Sequence, residues 1–298
     1  MCMKKILCVL LTAVLLFAVH GCGQGKGKTN PDPVNIFIDS GYMGFFDGEW
    51  HSYYPSDKFG IDEYITTLEE ELYQKYKTSA PYFAYGVDTA LGIVNGWYMD
   101  EAPDCRLSYD VEGVVLATDI DIDPLPKRPV LYSSQGTSAD LDVVNQWLLQ
   151  NNLDVYANID TVIQGDLDGD GTTERVVIAN TRRVEESGEP ADLNLEEARQ
   201  PGKGIYSAAF LVKDGVAQEI FSMLRTKDDG IVWPSDQGEP FWTADAYISI
   251  KSIAVYDLNR DGSYEVVLQY QDWDCPQLAA YTFQNSKLVP VLCMNLAW

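Results

Sequence analysis

Residues 166–177 read DLDGDGTTERVV, and four of the first nine residues carry carboxylates. Gly171 permits the sharp turn that folds these side chains toward one another, and the β-branched residues that follow predict a strand. Carboxylates held this close repel one another unless something neutralises them. Their charge could be neutralised by a structural ion, by a catalytic ion or by the water around a solvated loop. The rest of the sequence helps to distinguish these three cases.

The first acidic loop presents oxygen atoms at every second residue. Positions 1, 3, 5 and 9 are carboxylates and position 7 offers a backbone carbonyl, which gives the set Asp166, Asp168, Asp170, Thr172 and Glu174. Hard oxygen ligands in this number suit Ca²⁺, which accepts about six to eight oxygens in a flexible geometry, better than Mg²⁺ or Zn²⁺. The spacing therefore predicts a calcium site.

A second acidic loop, DLNRDGSYE at residues 257–265, begins 91 residues after the first. Its corresponding ligands are Asp257, Asn259, Asp261, the carbonyl of Ser263, and Glu265. Each loop lies between two apolar runs and is followed by a predicted hairpin, so the order of strand, loop, strand and hairpin occurs twice. Because it has one carboxylate fewer, the second loop is expected to bind calcium more weakly.

The residues after each loop distinguish two kinds of calcium site. EF-hand and dockerin loops require an acid at position 12 and a following helix, whereas position 12 is Val177 in the first loop and Leu268 in the second. Both loops run instead into strand sequence. The repeated pattern, over roughly residues 159–292, resembles FG-GAP or VCBS repeats, whose calcium loops lie between the strands of β-propellers in integrin α chains and many bacterial surface proteins. The resemblance implies that both ligand sets hold structural Ca²⁺, in up to two sites.

The expected fold is α+β and predominantly antiparallel β. It has two propeller-like β units with calcium loops and a helix-containing N-terminal segment, and it is not a closed propeller because two units cannot close a ring. Helical spacing of apolar residues predicts helices at residues 61–77 and about 139–150, the second capped by Ser138 or Thr137. The face that this second helix buries is expected to comprise Leu141, Val144, Trp147 and Leu148.

The N-terminus has the features of an exported protein. Two lysines precede a 14-residue apolar run that ends at Val19, which is typical of a signal peptide and short for a membrane span. The following His20, Gly21 and Cys22 complete a stretch that resembles the lipobox of bacterial lipoproteins. That resemblance implies lipidation of Cys22 and an extracytoplasmic location on the outer face of a bacterial cell membrane. Secretion after cleavage elsewhere is the alternative.

These observations divide the chain into four segments. They are a signal peptide at residues 1–21, the lipidated cysteine and a flexible tether at 22–33, an α+β N-terminal region at 34–155, and a β-rich region with the two repeats at 156–298.

Charge and rare residues limit the partners and the chemistry. The formal net charge is −24, and loss of residues 1–21 takes it to −26, which disfavours nucleic acid and restricts membrane contact to the N-terminal lipid. After the signal, His51 is the single histidine, so a histidine-rich zinc site cannot form. Cys275 and Cys293 flank a predicted hairpin, where a disulfide and two buried thiols are both compatible with the sequence.

Three functions fit these features. The first is a non-catalytic surface lipoprotein whose calcium-stapled β domain binds a glycan, a cell-wall component or a protein. The second is a carboxylate-dependent hydrolase such as a glycosidase, although no motif selects a catalytic pair. The third is an accessory or sensor lipoprotein that docks a neighbouring enzyme through the charged insertion at residues 182–204.

Two groups of residues bear on these alternatives. A sugar-stacking platform would be formed by the aromatic residues Tyr42, Phe45, Phe46, Trp50, Tyr53 and Tyr54. Candidate hydrolytic acids near aromatic residues are Asp47, Glu49, Asp100, Glu101 and Asp104.

Overall fold

The computed structural model describes the chain in six ranges, residues 32–54, 75–98, 106–181, 203–226, 248–272 and 275–295. Three predicted features lie outside these ranges: Cys22 with the signal and tether, residues 61–74 of the first predicted helix, and residues 182–202 of the charged insertion. Within them the chain forms antiparallel sheets and one α-helix, so the α+β, mainly antiparallel fold class is confirmed. In this part of the chain, no helix is both long enough and apolar enough to cross a membrane.

The first sheet contains seven strands from the N-terminal part of the chain. They are β1 (Val34–Ile38), β2 (Gly41–Phe46), β3 (Trp50–Ser52), β4 (Ala80–Tyr85), β5 (Ala90–Tyr98), β6 (Leu107–Tyr109) and β7 (Leu116–Thr118). Their order across the sheet is β3-β2-β1-β7-β4-β5-β6, and all neighbours are antiparallel. The short β-branched and aromatic runs of this region are therefore antiparallel strands, as their spacing predicts.

The second sheet contains five strands and carries the helix. The elements are β8 (Val130–Ser133), α1 (Ser138–Gln150), β9 (Ile159–Gly165), β10 (Glu174–Asn180), β11 (Gly204–Lys213) and β12 (Val216–Thr226). The strand order is β12-β11-β10-β9-β8. Because β8 pairs with β9 and α1 packs on the same sheet, both belong with the repeat region although they precede residue 156.

The third sheet is a four-stranded meander. Its strands are β13 (Ile248–Tyr256), β14 (Glu265–Asp272), β15 (Cys275–Gln284) and β16 (Lys287–Asn295), in sequence order. The first acidic loop connects β9 to β10, and the second connects β13 to β14. The two units thus have the same strand, loop, strand and hairpin order, and the described strands form no closed propeller.

The third sheet lies in the middle of the stack although it is last in sequence. Val266 and Leu268 on one face join Ile178 of the second sheet in a buried cluster. Val267 on the other face joins Ile36 of the first sheet in another. Since alternate residues of a strand point to opposite faces, burial of both faces accounts for the unbroken apolar run in β14. The layers therefore run first sheet, third sheet, second sheet, helix.

A buried amide joins the second sheet to the edge of the third. β13 is an edge strand, so its outward backbone groups need partners. Asn180 accepts from the Ile250 N–H and donates to the Ile250 carbonyl, both at 3.0 Å. The Ser207 hydroxyl also donates to the Asn180 side-chain oxygen. One side chain thus takes the place of a neighbouring strand at this point.

Helix α1 confirms most of the second helix prediction. Thr137 is the N-cap, with a reciprocal capping box to Asp140. Val144, Trp147 and Leu148 are buried against the second sheet, as their spacing predicts. The prediction was wrong for Leu141, which is 37% exposed because it lies at the margin of the apolar stripe.

The cysteine pair does not form a disulfide. Cys293 is a buried free thiol, and it lies opposite Ala279 in the β15–β16 ladder. Cys275 is four residues farther along β15, which corresponds to about 13 Å at the rise of a strand. Of the two alternatives, the structure therefore supports a buried thiol at Cys293, and its burial raises the pKa of that thiol to about 12.

Candidate metal centre

The two acidic loops fold alike. In each, the backbone N–H of the second residue donates to the closing glutamate at 2.8 Å, from Leu167 to Glu174 and from Leu258 to Glu265. The N–H of residue 5 donates to the side chain of residue 3, and that of residue 7 to the side chain of residue 5, in both loops. The glycines at position 6 have φ values of +89° and +86°, which favour glycine. The common spacing therefore produces a common local structure.

The first loop gathers acids into a group that can hold a metal ion. Carboxylate oxygens of Asp166, Asp168 and Glu174 lie within 4.8 Å of one another, and Glu174 is fully buried. Asp170 is more exposed and lies at the rim of the loop. The Thr172 hydroxyl donates to both Asp170 and Glu174. Among the residues that the structure describes, the acids of the second loop do not form a group this close.

A lysine already occupies the first loop. The ammonium of Lys213, at the end of β11, contacts Asp168, lies 2.6 Å from Asp170 and 3.1 Å from Glu174, and its side chain is only 11% exposed. Burial alone would lower the pKa of Lys213, but its hydrogen bonds to these three carboxylates outweigh that effect and raise it. The hydrogen bond from Lys213 also lowers the pKa of Asp170. The ammonium is therefore the counter-charge of this loop.

Arg128 ties the two loops together. Its Nε donates to the Asp166 carbonyl at 2.8 Å and lies 3.2 Å from the Asp166 carboxylate, and its Nη2 donates to the Gly262 carbonyl at 2.6 Å. The guanidinium stacks 4.3 Å from the centre of the Tyr264 ring. The Tyr264 hydroxyl accepts from the Arg128 N–H at 2.6 Å, while the Tyr264 N–H donates to Leu167 at 2.8 Å. Loops from two different sheets thus form a single junction.

The second loop holds desolvated carboxyl groups without a basic partner. Glu265 is fully buried, and burial raises its pKa to about 8 even though the Thr282 hydroxyl donates to it at 2.8 Å. Burial likewise raises the pKa of Asp257, whose Oδ1 is buried with no hydrogen-bond partner. Within the described ranges, no lysine, arginine or histidine pairs with Asp257, Asp261 or Glu265. An unsatisfied oxygen beside a desolvated carboxylate fits a bound cation.

The residues that organise this junction could not be picked out by motif. Lys213 belongs to a KDG hairpin turn and Arg128 to a proline-rich connection, so neither carries a metal-binding signature. The pairing register is the signal that would have found Lys213, because continuing the β10–β11 ladder places it opposite Glu174.

The structure offers little for a two-carboxylate hydrolase. Asp100, Glu101 and Asp104 lie outside the described residues, while Asp47 forms an exposed contact of 3.0 Å with His51. Among the described residues, a cavity of about 410 Å³ beside β6 is lined by one acid, Asp39. A glycosidase requires two carboxyl groups flanking the scissile bond. The one described pair of candidate acids is Asp47 and Glu49, which share the exposed β2–β3 turn, where the Glu49 N–H donates to Asp47 at 3.3 Å.

No protein-family model, characterised protein or solved structure matches this chain. Its role is therefore inferred from the geometry of the loops and the features of the sequence.

Replacement of Arg128 tests the junction between the loops. Arg128→Ala removes two hydrogen bonds from a charged donor, so we expect the free energy of unfolding to fall by about 3 kcal/mol. Urea unfolding measures this change. Lys127→Ala is the matched control, because Lys127 makes an exposed contact with Asp123, and it should change stability by less than about 1 kcal/mol. Equal effects of the two substitutions would contradict the bridging role.

Proposed function

We propose that this protein is a non-catalytic lipoprotein, anchored outside a bacterial cell membrane through Cys22, whose β domain binds a glycan, a cell-wall component or a protein. Its acidic loops provide up to two structural calcium sites. The FG-GAP or VCBS resemblance and the lipobox-like sequence support this role. The single observation that carries it is the position of the loops, which join the second and third sheets.

The surroundings of the loops favour a structural role over catalysis. Arg128 and Tyr264 cover the junction, and the glutamates that close both loops are fully buried. A catalytic metal needs an open coordination position for substrate or water. An ion held by loops that join two sheets instead adds stability. At about 1 mM free calcium, a site with a dissociation constant of roughly 0.1 mM contributes about 1.4 kcal/mol.

The ligand-binding surface differs from the aromatic platform expected from sequence. The platform prediction was wrong for Tyr42 and Tyr54, which are both buried. Tyr54 packs in the cluster shared by the second and third sheets, and Tyr42 packs with Phe37 and Tyr76 on the face of the first sheet that points away from the third. One side of β5 instead exposes Ile93 by 67% and Trp97 by 40%. Asn95 lies between them in the strand, so this surface combines an aromatic ring with polar groups. We infer that it contacts the ligand, because exposed tryptophans are suited to stacking on sugars and to protein contacts.

Calcium dependence tests the structural sites. With calcium in tenfold excess over the dissociation constant, we expect the melting temperature of the full-length chain to rise by about 3–5 °C per bound ion over chelator. Magnesium should have a much smaller effect because it tolerates this flexible geometry poorly. The Asp168→Ala, Asp261→Ala double variant should lose the calcium response. An unchanged melt with calcium and chelator would contradict the proposed sites.

Lipidation of Cys22 tests the proposed location at the outer face of the cell membrane. In a bacterial host supplied with labelled palmitate, the wild-type chain should carry label and sediment with membranes, whereas Cys22→Ala should do neither. Cys8→Ala is the control, because Cys8 lies in the apolar run of the signal and should leave both results unchanged. Labelling of Cys22→Ala would show that the anchor is elsewhere.

The role of β5 in ligand binding is tested on glycan arrays and in cell-wall pull-down assays. Loss of one stacking aromatic ring should weaken binding by about tenfold in Trp97→Ala. Tyr156→Ala removes another exposed aromatic, 94% accessible and outside the first sheet, and should bind normally. If Trp97→Ala retains full binding while folded, the ligand does not contact this face.

A further inference from the structure

We propose that Lys213 is the resident cation of the first acidic loop, and that divalent-cation binding in this protein belongs to the second loop. This inference rests on the proposed calcium sites and states which of the two loops takes the ion. It reverses the order of affinity that the number of carboxylates predicts.

Lys213 makes the contacts that an ion in the first loop would require. Its ammonium binds oxygens of Asp168, Asp170 and Glu174, which are positions 3, 5 and 9 of the predicted ligand set. A calcium ion seated on those oxygens would have to displace the ammonium. Asp166, at position 1, is paired with Arg128 at 3.2 Å. Every acid of the first loop therefore already has a basic partner.

The matching position in the second loop carries no charge. Val266 pairs with Tyr281 in the β14–β15 ladder, so continuing the register places Thr282 opposite Glu265. The same continuation in the first unit places Lys213 opposite Glu174. Thr282 donates one hydrogen bond to Glu265 at 2.8 Å and supplies no positive charge. The two units therefore differ at the one position from which a strand can deliver a cation to the loop.

Ion pairing favours the second loop for a divalent cation. All four acids of the first loop contact Lys213 or Arg128. Among the described residues, no basic side chain pairs with the three acids of the second loop, and Arg260, which belongs to that loop, pairs with none of them. Each loop has one buried carboxylate oxygen without a hydrogen-bond partner, Oδ1 of Asp166 and Oδ1 of Asp257. The loops therefore differ in their ion pairs, because a resident ammonium contacts the acids of the first loop and none from the described residues contacts those of the second.

Calorimetric titration of the chelator-treated full-length chain with calcium tests the proposal by counting bound ions. The wild type should bind one ion per chain. Lys213→Thr, which copies the residue of the second unit, should bind two, because the first loop is then free to coordinate. Thr282→Lys should bind none, since the new ammonium reaches Glu265. Lys127→Thr removes a lysine from an exposed pair with Asp123 and should still bind one.

The outcomes separate this inference from the proposed calcium sites. Two ions on the wild type would overturn the inference and leave both proposed sites intact. No added ion on Lys213→Thr would overturn it as well. One ion on Lys213→Thr with none on the wild type would support the role of Lys213 and refute the calcium site of the second loop.

Melting temperatures in chelator and in calcium distinguish a variant that folds poorly from one that has lost its calcium site. Lys213→Thr should melt below the wild type in chelator, because its carboxylates lose their partner, and excess calcium should recover most of that loss. Lys213→Met, which keeps most of the length of the side chain, should respond in the same direction. Failure of calcium to raise the melting temperature of both variants by more than that of the wild type would contradict the proposal.

Discussion

Repulsion among carboxylates at the meeting point of two loops is the constraint on which the stack of sheets depends. The loops lie where the second and third sheets join, and Arg128 donates to a backbone carbonyl of each. Lys213 supplies a second positive charge to the first loop. With the repulsion in the first loop offset, the buried Glu174 can close that loop and the two sheets can pack against each other.

The stack covers the third sheet on both sides. The third sheet lies between the other two, and its strands bury residues toward each of them. Its exposed edge is completed by the amide of Asn180, which pairs with the backbone of Ile250. Polar groups therefore fix the alignment of the layers, while apolar burial provides most of the stabilisation.

The two repeated units share a backbone and differ in how their loops are neutralised. Three backbone hydrogen bonds within the loops occur at the same positions in both. The position facing the closing glutamate is Lys213 in one unit and Thr282 in the other. Alignment of the hairpin turns would instead match Lys213 with Gln284, because β15 continues two residues beyond Thr282 before its turn. Equivalent positions in the two units are therefore defined by strand pairing.

The sequence alone determined the antiparallel fold class, the helix at residues 138–150, and the paired loops between strands, because these follow from apolar periodicity, capping residues and turn glycines. Only the tertiary structure decided the place of the third sheet between the others, the free thiol of Cys293 and the burial of Tyr42. It alone brought Lys213 to Asp168, 45 residues away. Local patterns specify local structure, whereas the charge that reaches a loop depends on strand register and on which sheets pack together, which no short motif encodes.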